Sequence, residues 1–195
     1  MIEDKIWNLN PNNYIIGSDE VGRGSFAGPI GAAAVRVNYD HIDLLMDVKD
    51  SKKLSPKKRN QIYELVKENE IEYSYIERDN KFIDLYGIKL ANEKVLEESI
   101  SSIFQDGDIV YVDHFKISKF NAISLIRGED NCRPIALASI IAKVLRDNFM
   151  IKISKKYNGY AFDKNKGYGT KEHRLAIKKY GLSDVHRKSF NLMPI

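Results

Sequence analysis

Cysteine is nearly missing from this sequence: Cys132 is the single example in 195 residues, which rules out an internal disulfide. Long apolar runs are missing as well, and none approaches the roughly 18 residues that a membrane span requires. The first ten residues, MIEDKIWNLN, are acidic and lack the apolar core of a signal peptide. The four histidines have no spacing typical of a zinc site. We therefore expect a cytoplasmic protein with no membrane segment.

Internal repeats, low-complexity tracts and evident linkers are also missing. With 195 residues, 43% of them hydrophobic and 30% charged, the chain has the size and composition of one ordinary globular domain. We expect residues 1–195 to form that single domain, with a helical C-terminal extension over roughly 157–195. Nothing in the sequence indicates an oligomer, so a monomer is the default expectation.

Positive charge is present in moderate excess and is unevenly distributed. The formal net charge is +4, which alone says little about binding partners. Two basic clusters stand out: Lys49, Lys52, Lys53, Lys57, Lys58 and Arg59 in one, and Lys143, Arg146, Lys152, Lys155, Lys156, Lys164, Lys166 and Lys171 in the other. Cations beside carboxylates suit a phosphodiester substrate, although a solvated lysine face explains such clusters nearly as well.

The order of apolar patterns predicts an α/β protein. Strands are predicted at 14–16, 30–37, 71–76, 109–112 and 122–126, and helices at about 55–69, 88–103, from Pro134 onward and at about 171–180. Three strands joined by short connections, followed by helix, strand and further helix, are typical of a mixed sheet with helices on its faces.

Two adjacent carboxylates follow the first predicted strand. Asp19 and Glu20 lead directly into the glycine-rich turn Gly22-Arg23-Gly24. Neighbouring carboxylates repel each other, and a hard divalent cation such as Mg²⁺ would relieve that repulsion. Glycines have no Cβ atom, so their backbone N–H groups can come close to a sugar or a phosphate. The alternative interpretation is a glycine turn flanked by two solvated acids.

Further acids occupy the ends of later elements. Asp113 ends the apolar strand at 109–112, and acids at the ends of neighbouring strands can meet in space. Asp113 could equally cap the turn that follows. Glu129 and Asp130 precede the helix at Pro134, where helix capping by Asp130 is the alternative to a role in an acidic cluster.

Five motifs in a fixed order resemble the type 2 ribonucleases H, specifically bacterial ribonuclease HII. They are DEVGRG at 19–24 followed by Ala27-Gly28-Pro29, DSKKL at 50–54, KVLRD at 143–147, KGYGT at 166–170 and HRKSF at 186–190. The last two motifs favour ribonuclease HII over ribonuclease HIII. The chain departs from the usual pattern at Ser25-Phe26, His114 and Asn165, which leaves substrate and metal preference open.

The resemblance implies an RNase H-like fold, with a central mixed five-stranded sheet flanked by helices, and an active site of four acids. Asp19, Glu20 and Asp113 match three of these acids and are the expected metal ligands. For the fourth, ungapped counting from the following helix gives Glu129, whereas a Gly-Asp pairing with a one-residue insertion gives Asp130. A glutamate at this place is similar to ribonuclease HIII, and Glu129 is slightly favoured.

The activity that the resemblance implies is that of a metal-dependent endoribonuclease. It would hydrolyse the RNA strand of RNA/DNA hybrids and cut on the 5′ side of ribonucleotides embedded in duplex DNA, leaving 3′-hydroxyl and 5′-phosphate ends. Two Mg²⁺ or Mn²⁺ ions would act at the scissile phosphate. The expected roles are ribonucleotide removal from DNA and RNA primer removal.

The resemblance also suggests which residues contact the substrate. It assigns recognition of the ribose 2′-hydroxyl to the backbone of Gly22-Arg23-Gly24 and stacking on a sugar to Tyr168. The candidate phosphate contacts are Lys52, Lys53, Lys143 and Arg146. By residue type alone, Tyr168 is more often a packed loop tyrosine. No peptide for binding a sliding clamp is evident at the C-terminus.

Two other functional classes share part of this pattern. A non-catalytic nucleic-acid-binding module with the same fold is expected to lack at least one acid, whereas Asp19, Glu20 and Asp113 are all present. A different two-metal nuclease would share the acids but not the GRG and KGYGT motifs. The motifs therefore favour the ribonuclease.

Overall fold

A mixed β-sheet forms the centre of the protein. In the computed structural model, which describes residues 1–46, 48 and 54–192, its five strands are β1 (Ile15–Val21), β2 (Ile30–Val37), β3 (Glu72–Arg78), β4 (Ile109–Asp113) and β5 (Ile123–Leu125). Their order across the sheet is β3-β2-β1-β4-β5. β1, β2 and β3 pair antiparallel, while β4 pairs parallel with both β1 and β5. The predicted α/β class and mixed sheet are confirmed.

Helices cover both faces of this sheet and continue toward the C-terminus. They are α1 (Ile2–Leu9), α2 (Ile42–Met46), α3 (Pro56–Glu68), α4 (Asn80–Ser101), α5 (Gly128–Asn131), α6 (Arg133–Ser154), α7 (Phe162–Asn165) and α8 (Lys171–Tyr180). Local chemistry sets their starts. Ser55 caps α3 by accepting a hydrogen bond from the Lys58 backbone N–H at 3.2 Å, and Thr170 caps α8 through His173 at 3.2 Å.

Alternation along β1 determines which helix lies on which face. Ile15 and Val21 pack into the cluster that includes the apolar side of α6, whereas Ile16 packs into the cluster that includes α4. Gly17 lies between Ile15 and Val21, and a Cβ there would overlap the backbone of Pro134 at the start of α6. Its missing side chain lets α6 approach β1 closely, which positions the helix beside the end of the strand.

A third apolar cluster joins the C-terminal helices to the sheet. Phe162, Ala176 and Ile177 pack with Met150 of α6 and with Ala27, which follows β1. The predicted helical extension is present as α7 and α8, and it is anchored near the carboxyl end of β1. None of the described helices is long and apolar enough to cross a membrane.

The structure differs from the sequence-based expectations in several places, among them β1, which continues to Val21 and so contains Asp19 and Glu20. Helix α1 was not predicted, and it is held by Arg133, whose guanidinium contacts Glu3 at 3.0 Å and Asp4 at 2.6 Å. Helix α4 begins at Asn80, earlier than the apolar pattern indicated, with Gly87 interrupting it at φ 83°. The third strand extends to Arg78. Of the DSKKL motif, residues 50–53 lie outside the described part of the chain.

Candidate active site

Strand pairing brings two of the predicted acids to one edge of the sheet. In the parallel pair of β1 and β4, Ser18 lies opposite Val112, so the next residues along each strand are Asp19 and Asp113. Both strands are mostly buried up to that point, and their carboxyl ends lie at the same edge. A buried parallel pair therefore delivers two carboxylates side by side, although 94 residues separate them in sequence.

Asp19 is the most constrained of these acids, being only 7% exposed. Burial first, and then the charges of Glu20 and Asp113, raise the pKa of its carboxyl well above the usual range. A hydrogen bond from Ser139, on α6, opposes this rise. The backbone N–H of Glu20 donates to Asp19 Oδ1 at 2.8 Å. These two hydrogen bonds fix the carboxylate, and within the described part of the chain no lysine or arginine forms an ion pair with it.

Glu20 points into the same region from the end of β1. Burial raises the pKa of its carboxyl, Arg23 lowers it and Asp113 raises it again. Arg23 Nη1 lies 3.9 Å from Glu20 Oε1, and about half of the arginine side chain is exposed. The ion pair is therefore a loose one, and repulsion from Asp113 persists.

The short helix α5 brings the fourth acid to the cluster. Asp113 Oδ1 accepts a hydrogen bond from the Gly128 backbone N–H at 2.5 Å, which ties the start of α5 to the end of β4. Glu129 is then buried, at 6% exposure, and its charge helps to raise the pKa of Asp19. Asp130, one residue further along α5, is exposed. The structure brings Glu129, and not Asp130, to the other acids.

The donor set fits a hard divalent cation. Asp19, Glu20, Asp113 and Glu129 offer only oxygen ligands, and their mutual repulsion favours a cation among them. Within the described residues, no three His, Cys, Asp or Glu side chains already converge into a closed metal cage. The acids form an open group, which suits an ion such as Mg²⁺ or Mn²⁺ that completes its shell with water and substrate phosphate.

The glycine-rich turn at 22–24 begins directly after β1 and packs against the side chain of Arg146. Gly22 has a φ of +84°, and a Cβ there would overlap the guanidinium of Arg146. Among the described residues, none beyond the chain neighbours of Gly24 comes within 4 Å of where its Cβ would be. The first glycine is thus required by the packing beneath the turn, and the second leaves the outer side of the turn accessible to a ligand.

Arg146 has a different place from the one that we predicted. Its side chain is 0% exposed, and it donates hydrogen bonds to the carbonyls of Pro29 at 2.8 Å, Lys166 at 2.9 Å and Ala27 at 3.2 Å. A guanidinium enclosed in this way supports the surrounding chain, and its burial gives the predicted phosphate contact no support in the structure. The spacing could have shown this, because Arg146 lies four residues from the buried Ala142 and four from the buried Met150 on α6.

A second buried arginine shares this supporting role and was missed in the sequence. Arg187, also 0% exposed, donates through Nη1 to the Arg23 carbonyl at 2.9 Å and through Nε to the Gly28 carbonyl at 3.1 Å. The HRKSF motif indicated that this residue mattered, but no local pattern showed what its side chain would contact. Together, Arg146 and Arg187 hold the chain from 22 to 29 in place.

Tyr168 lies beside the glycine-rich turn on the loop after α7. Its ring is half-buried, with Lys143 Nζ and Arg146 Cζ each 5.5 Å from the ring centroid. Asn165 shapes this loop by accepting from the Gly167 backbone N–H at 2.8 Å and donating to the Tyr160 carbonyl at 2.7 Å. The asparagine that departs from the family pattern therefore has a clear structural role here.

Two buried histidines anchor the Tyr168 loop. The Ser183 backbone N–H donates to His186 Nδ1 at 2.9 Å, so the neutral ring carries its proton on Nε2. That proton is donated to His173 Nε2 at 3.0 Å, and His173 Nδ1 in turn donates to the Tyr168 carbonyl at 3.0 Å. Burial lowers the pKa of both rings, which keeps this chain of hydrogen bonds neutral and fixed.

The predicted lysine contacts have mixed outcomes. Lys143 lies next to Tyr168 and forms an ion pair with Asp147 at 2.8 Å, leaving about a third of its side chain exposed. Lys52 and Lys53 lie outside the described residues.

Comparison with known proteins supports one family over nearly the whole chain. The sequence profile of the family described as Ribonuclease HII matches residues 16–193. A ribonuclease HII from Clostridium botulinum (strain Loch Maree / Type A3) is 46% identical, and the match covers 92% of this chain and 68% of that protein. A ribonuclease HII from Caldicellulosiruptor bescii is 44% identical, covering 97% of this chain and 91% of the relative.

Solved structures show the same fold at lower sequence identity. Ribonuclease H2 from Pyrococcus horikoshii OT3 superposes with a TM-score of 0.76 at 22% identity, covering 92% of this chain and 94% of the other. The structure described as Bst-RNase HIII in complex with Mn²⁺ gives a TM-score of 0.72 at 21% identity, covering 98% and 71%. These confirm the RNase H-like fold, and the sequence matches identify the family: the chain belongs to the ribonuclease HII family of metal-dependent endoribonucleases, which act on RNA/DNA hybrids and in ribonucleotide removal.

Proposed function

We propose that this protein hydrolyses the phosphodiester bond on the 5′ side of a ribonucleotide, both in RNA/DNA hybrids and in duplex DNA that contains a single ribonucleotide. The products are a 3′-hydroxyl and a 5′-phosphate. The observation that carries the proposal is the gathering of Asp19, Glu20, Asp113 and Glu129 at one sheet edge beside the glycine-rich turn. Repulsion among these carboxylates favours bound cations, and the adjacent turn can admit a ribose.

The four acids are the proposed metal ligands, with Glu129 rather than Asp130 as the fourth. Mg²⁺ or Mn²⁺, two ions at catalysis, would lower the pKa of the attacking water and stabilise the departing oxygen. Ser139 holds Asp19 in position through its hydrogen bond. The Gly128 N–H does the same for Asp113. Each of these donors restricts a carboxylate that would otherwise turn away from its neighbours.

Recognition of the ribonucleotide is assigned to the turn and to Tyr168. The 2′-hydroxyl is the group that distinguishes RNA from DNA at a given site. Backbone groups of Gly22, Arg23 and Gly24 are held rigidly by the buried arginines and can bind that hydroxyl without a side chain in the way. Tyr168 stacks on the sugar of the following deoxynucleotide, and Lys143 contacts a backbone phosphate.

The test is cleavage of a duplex DNA carrying one ribonucleotide, with Mg²⁺ or Mn²⁺, by the wild type and by Asp19→Asn. We expect metal-dependent cutting at the ribonucleotide by the wild type and a loss of about 10³-fold or more in the variant, since Asp19 lies at the centre of the acids. Asp106→Asn, the same change at an exposed turn residue, is the control and should cut normally.

Two results would refute the proposal. One is the absence of a metal-dependent cut by the wild type, and the other is equal cutting by Asp19→Asn. A duplex of the same sequence without the ribonucleotide shows whether any cutting depends on the 2′-hydroxyl. We further propose RNA primer removal as a role, and a monomeric, cytoplasmic enzyme.

A further inference from the structure

A basic groove lies along α6, one helical turn beyond the acids. It encloses about 290 Å³ between α3, α6 and the segment around α7. Among the described residues that line it, the charged ones are Arg59, Lys143, Asp147, Lys164 and Lys166. Cations outnumber the single carboxylate, so the groove has a positive potential and attracts anions.

The arginine in this groove is already held in position. Arg59 Nη1 donates to the Leu54 carbonyl at 2.5 Å, which fixes the guanidinium at the groove wall. Opposite it, Lys164 is exposed on α7, and Lys166 contacts the Asp163 carbonyl through its ammonium group. A planar guanidinium with further N–H donors, in a groove also lined by the ammonium groups of Lys164 and Lys166, is well suited to a phosphate group.

The groove is aligned with the acids by the geometry of α6. Ser139, which hydrogen-bonds to Asp19, is followed at intervals of four residues by Lys143 and Asp147, so all three lie on one face of the helix. A rise of 1.5 Å per residue places Lys143 about 6 Å and Asp147 about 12 Å along the axis from Ser139. Phosphates of one strand rise about 3.4 Å each, so these distances correspond to about two to four nucleotides.

We propose that this groove binds a backbone phosphate of the substrate, about two to four nucleotides from the scissile phosphate, with Arg59 and Lys164 as its principal contacts. The inference rests on the proposed function, because it uses the position of the acids to place the substrate strand. It adds a second binding position, remote from the bond that is cut.

Asp147 sets the strength of this site. Its carboxylate pairs with Lys143 at 2.8 Å and so neutralises one of the groove cations when no substrate is bound. An incoming phosphate competes with that carboxylate for Lys143. The proposal therefore predicts effects of opposite sign: removing a groove cation weakens binding, and removing the charge of Asp147 strengthens it.

The experiment measures binding by fluorescence anisotropy of a labelled duplex with one ribonucleotide, in EDTA so that no cleavage occurs. The variants are Arg59→Gln, Lys164→Gln, their double variant and Asp147→Asn, with Lys178→Gln as the control on the exposed side of α8. We expect about 10-fold weaker binding by the double variant and several-fold tighter binding by Asp147→Asn. The slope of log Kobs against log salt should decrease by about 1 in the double variant, as for one lost phosphate contact.

A second duplex of the same length and sequence separates local binding from a general disturbance of the fold. In it, the phosphates about two to four nucleotides on either side of the ribonucleotide are replaced by neutral methylphosphonates, so no charged phosphate reaches the groove and the wild type and the double variant should bind it equally. With metal and the unmodified duplex, the double variant should show a raised KM and an unchanged kcat. Equal loss of affinity for both duplexes would overturn the proposal, as would an affinity for the unmodified duplex and a salt slope like those of Lys178→Gln.

Failure of the proposed function gives a different pattern. If the wild type binds and the groove variants shift affinity as expected, but nothing is cut in Mg²⁺ or Mn²⁺, the groove stands and the cleavage assignment fails. If the wild type cuts at the ribonucleotide while the groove variants bind and cut normally, the groove alone is refuted.

Discussion

The acids at the sheet edge and the two arginines beneath the glycine-rich turn are neighbouring regions that both bury charges of one sign. Asp19 and Glu129 are 7% and 6% exposed, and Arg146 and Arg187 are 0% exposed. Repulsion is visible in both regions. The charges of Glu20 and Asp113 contribute to raising the pKa of Asp19, while burial and then Arg146 lower the pKa of Arg187 to about 9.

The two regions differ in how the charge is compensated. Backbone carbonyls surround the arginines, with three accepting from Arg146 and two from Arg187. Among the acids, Glu20 lies 3.9 Å from Arg23, and the charges of the neighbouring carboxylates still raise the pKa of Asp19. The buried guanidiniums are thus stabilised mainly by the dipoles of the chain itself, although Arg187 Nη2 has no hydrogen-bond partner among the described residues. The repulsion among the acids instead favours a bound cation.

The largest expected effect tests whether Glu129 or Asp130 belongs to the acids at the sheet edge. Glu129→Gln removes a charge that contributes to the cluster, and we expect the cleavage rate to fall about 10²-fold or more at saturating metal. Asp130→Asn changes an exposed neighbour and should retain most of the activity. Single-turnover rates with the ribonucleotide-containing duplex make the comparison. A large loss in Asp130→Asn with a small loss in Glu129→Gln would reverse the assignment of the fourth acid.

The next effect tests whether the arginines are structural. Arg187→Met leaves the carbonyls of Arg23 and Gly28 without their donor, and we expect the free energy of unfolding to fall by about 3 kcal/mol. For a chain of this size, that lowers Tm by about 6 to 12 °C. Thermal unfolding followed by circular dichroism measures it, with Arg127→Met at an exposed position as the control. An unchanged Tm would show that the carbonyls do not depend on the guanidinium.

The smallest effect concerns stability of the metal-free acids. Because the folded-state pKa of Asp19 is raised, the folded protein binds a proton at this carboxyl more tightly than the unfolded chain does. The stabilisation that this proton provides is lost as pH rises through the raised pKa. At pH 7.5 in EDTA, Asp19→Asn should therefore raise Tm, by about 2 to 4 °C for each kcal/mol of relieved repulsion.

Added Mn²⁺ provides the converse measurement. At 100 times its Kd, Mn²⁺ should raise the free energy of unfolding of the wild type by about 2.7 kcal/mol, which is measured as a higher Tm. The Tm of Asp19→Asn should rise much less. Two results would contradict this: a lower Tm of Asp19→Asn in EDTA, or an equal gain in Tm of both proteins from Mn²⁺. Either would show that repulsion at Asp19 does not destabilise the metal-free protein.

Local patterns were sufficient to predict the parts of the site that strands deliver. Asp113 ends the apolar strand β4, and Asp19 lies near the end of β1, three residues after its apolar start at Ile15 and Ile16, so the strands fix where both acids lie. The choice between Glu129 and Asp130 needed coordinates, because the two are adjacent on a four-residue helix whose first residue, Gly128, donates a hydrogen bond to Asp113. Sequence spacing has no information on which side of such a helix faces inward.

Long-range contacts explain what the sequence did not indicate. Arg146 was predicted to bind phosphate because a cation near a basic motif is typical of that role, and the structure gives it the carbonyls at 27, 29 and 166 as partners. Helix α1 was missed because Arg133, more than a hundred residues away, stabilises it. Neither partner can be read from local composition.

The bond from Arg187 to the Arg23 carbonyl also sets an order of events during synthesis. The two residues are 164 positions apart, so at about 5 to 20 residues per second the acids and the turn emerge about 8 to 30 s before the guanidinium that fixes the turn. A nascent chain carries its carboxylates through that interval with the Arg23 carbonyl not yet bound by Arg187. The turn beside the acids is therefore completed only after residue 187 has been translated.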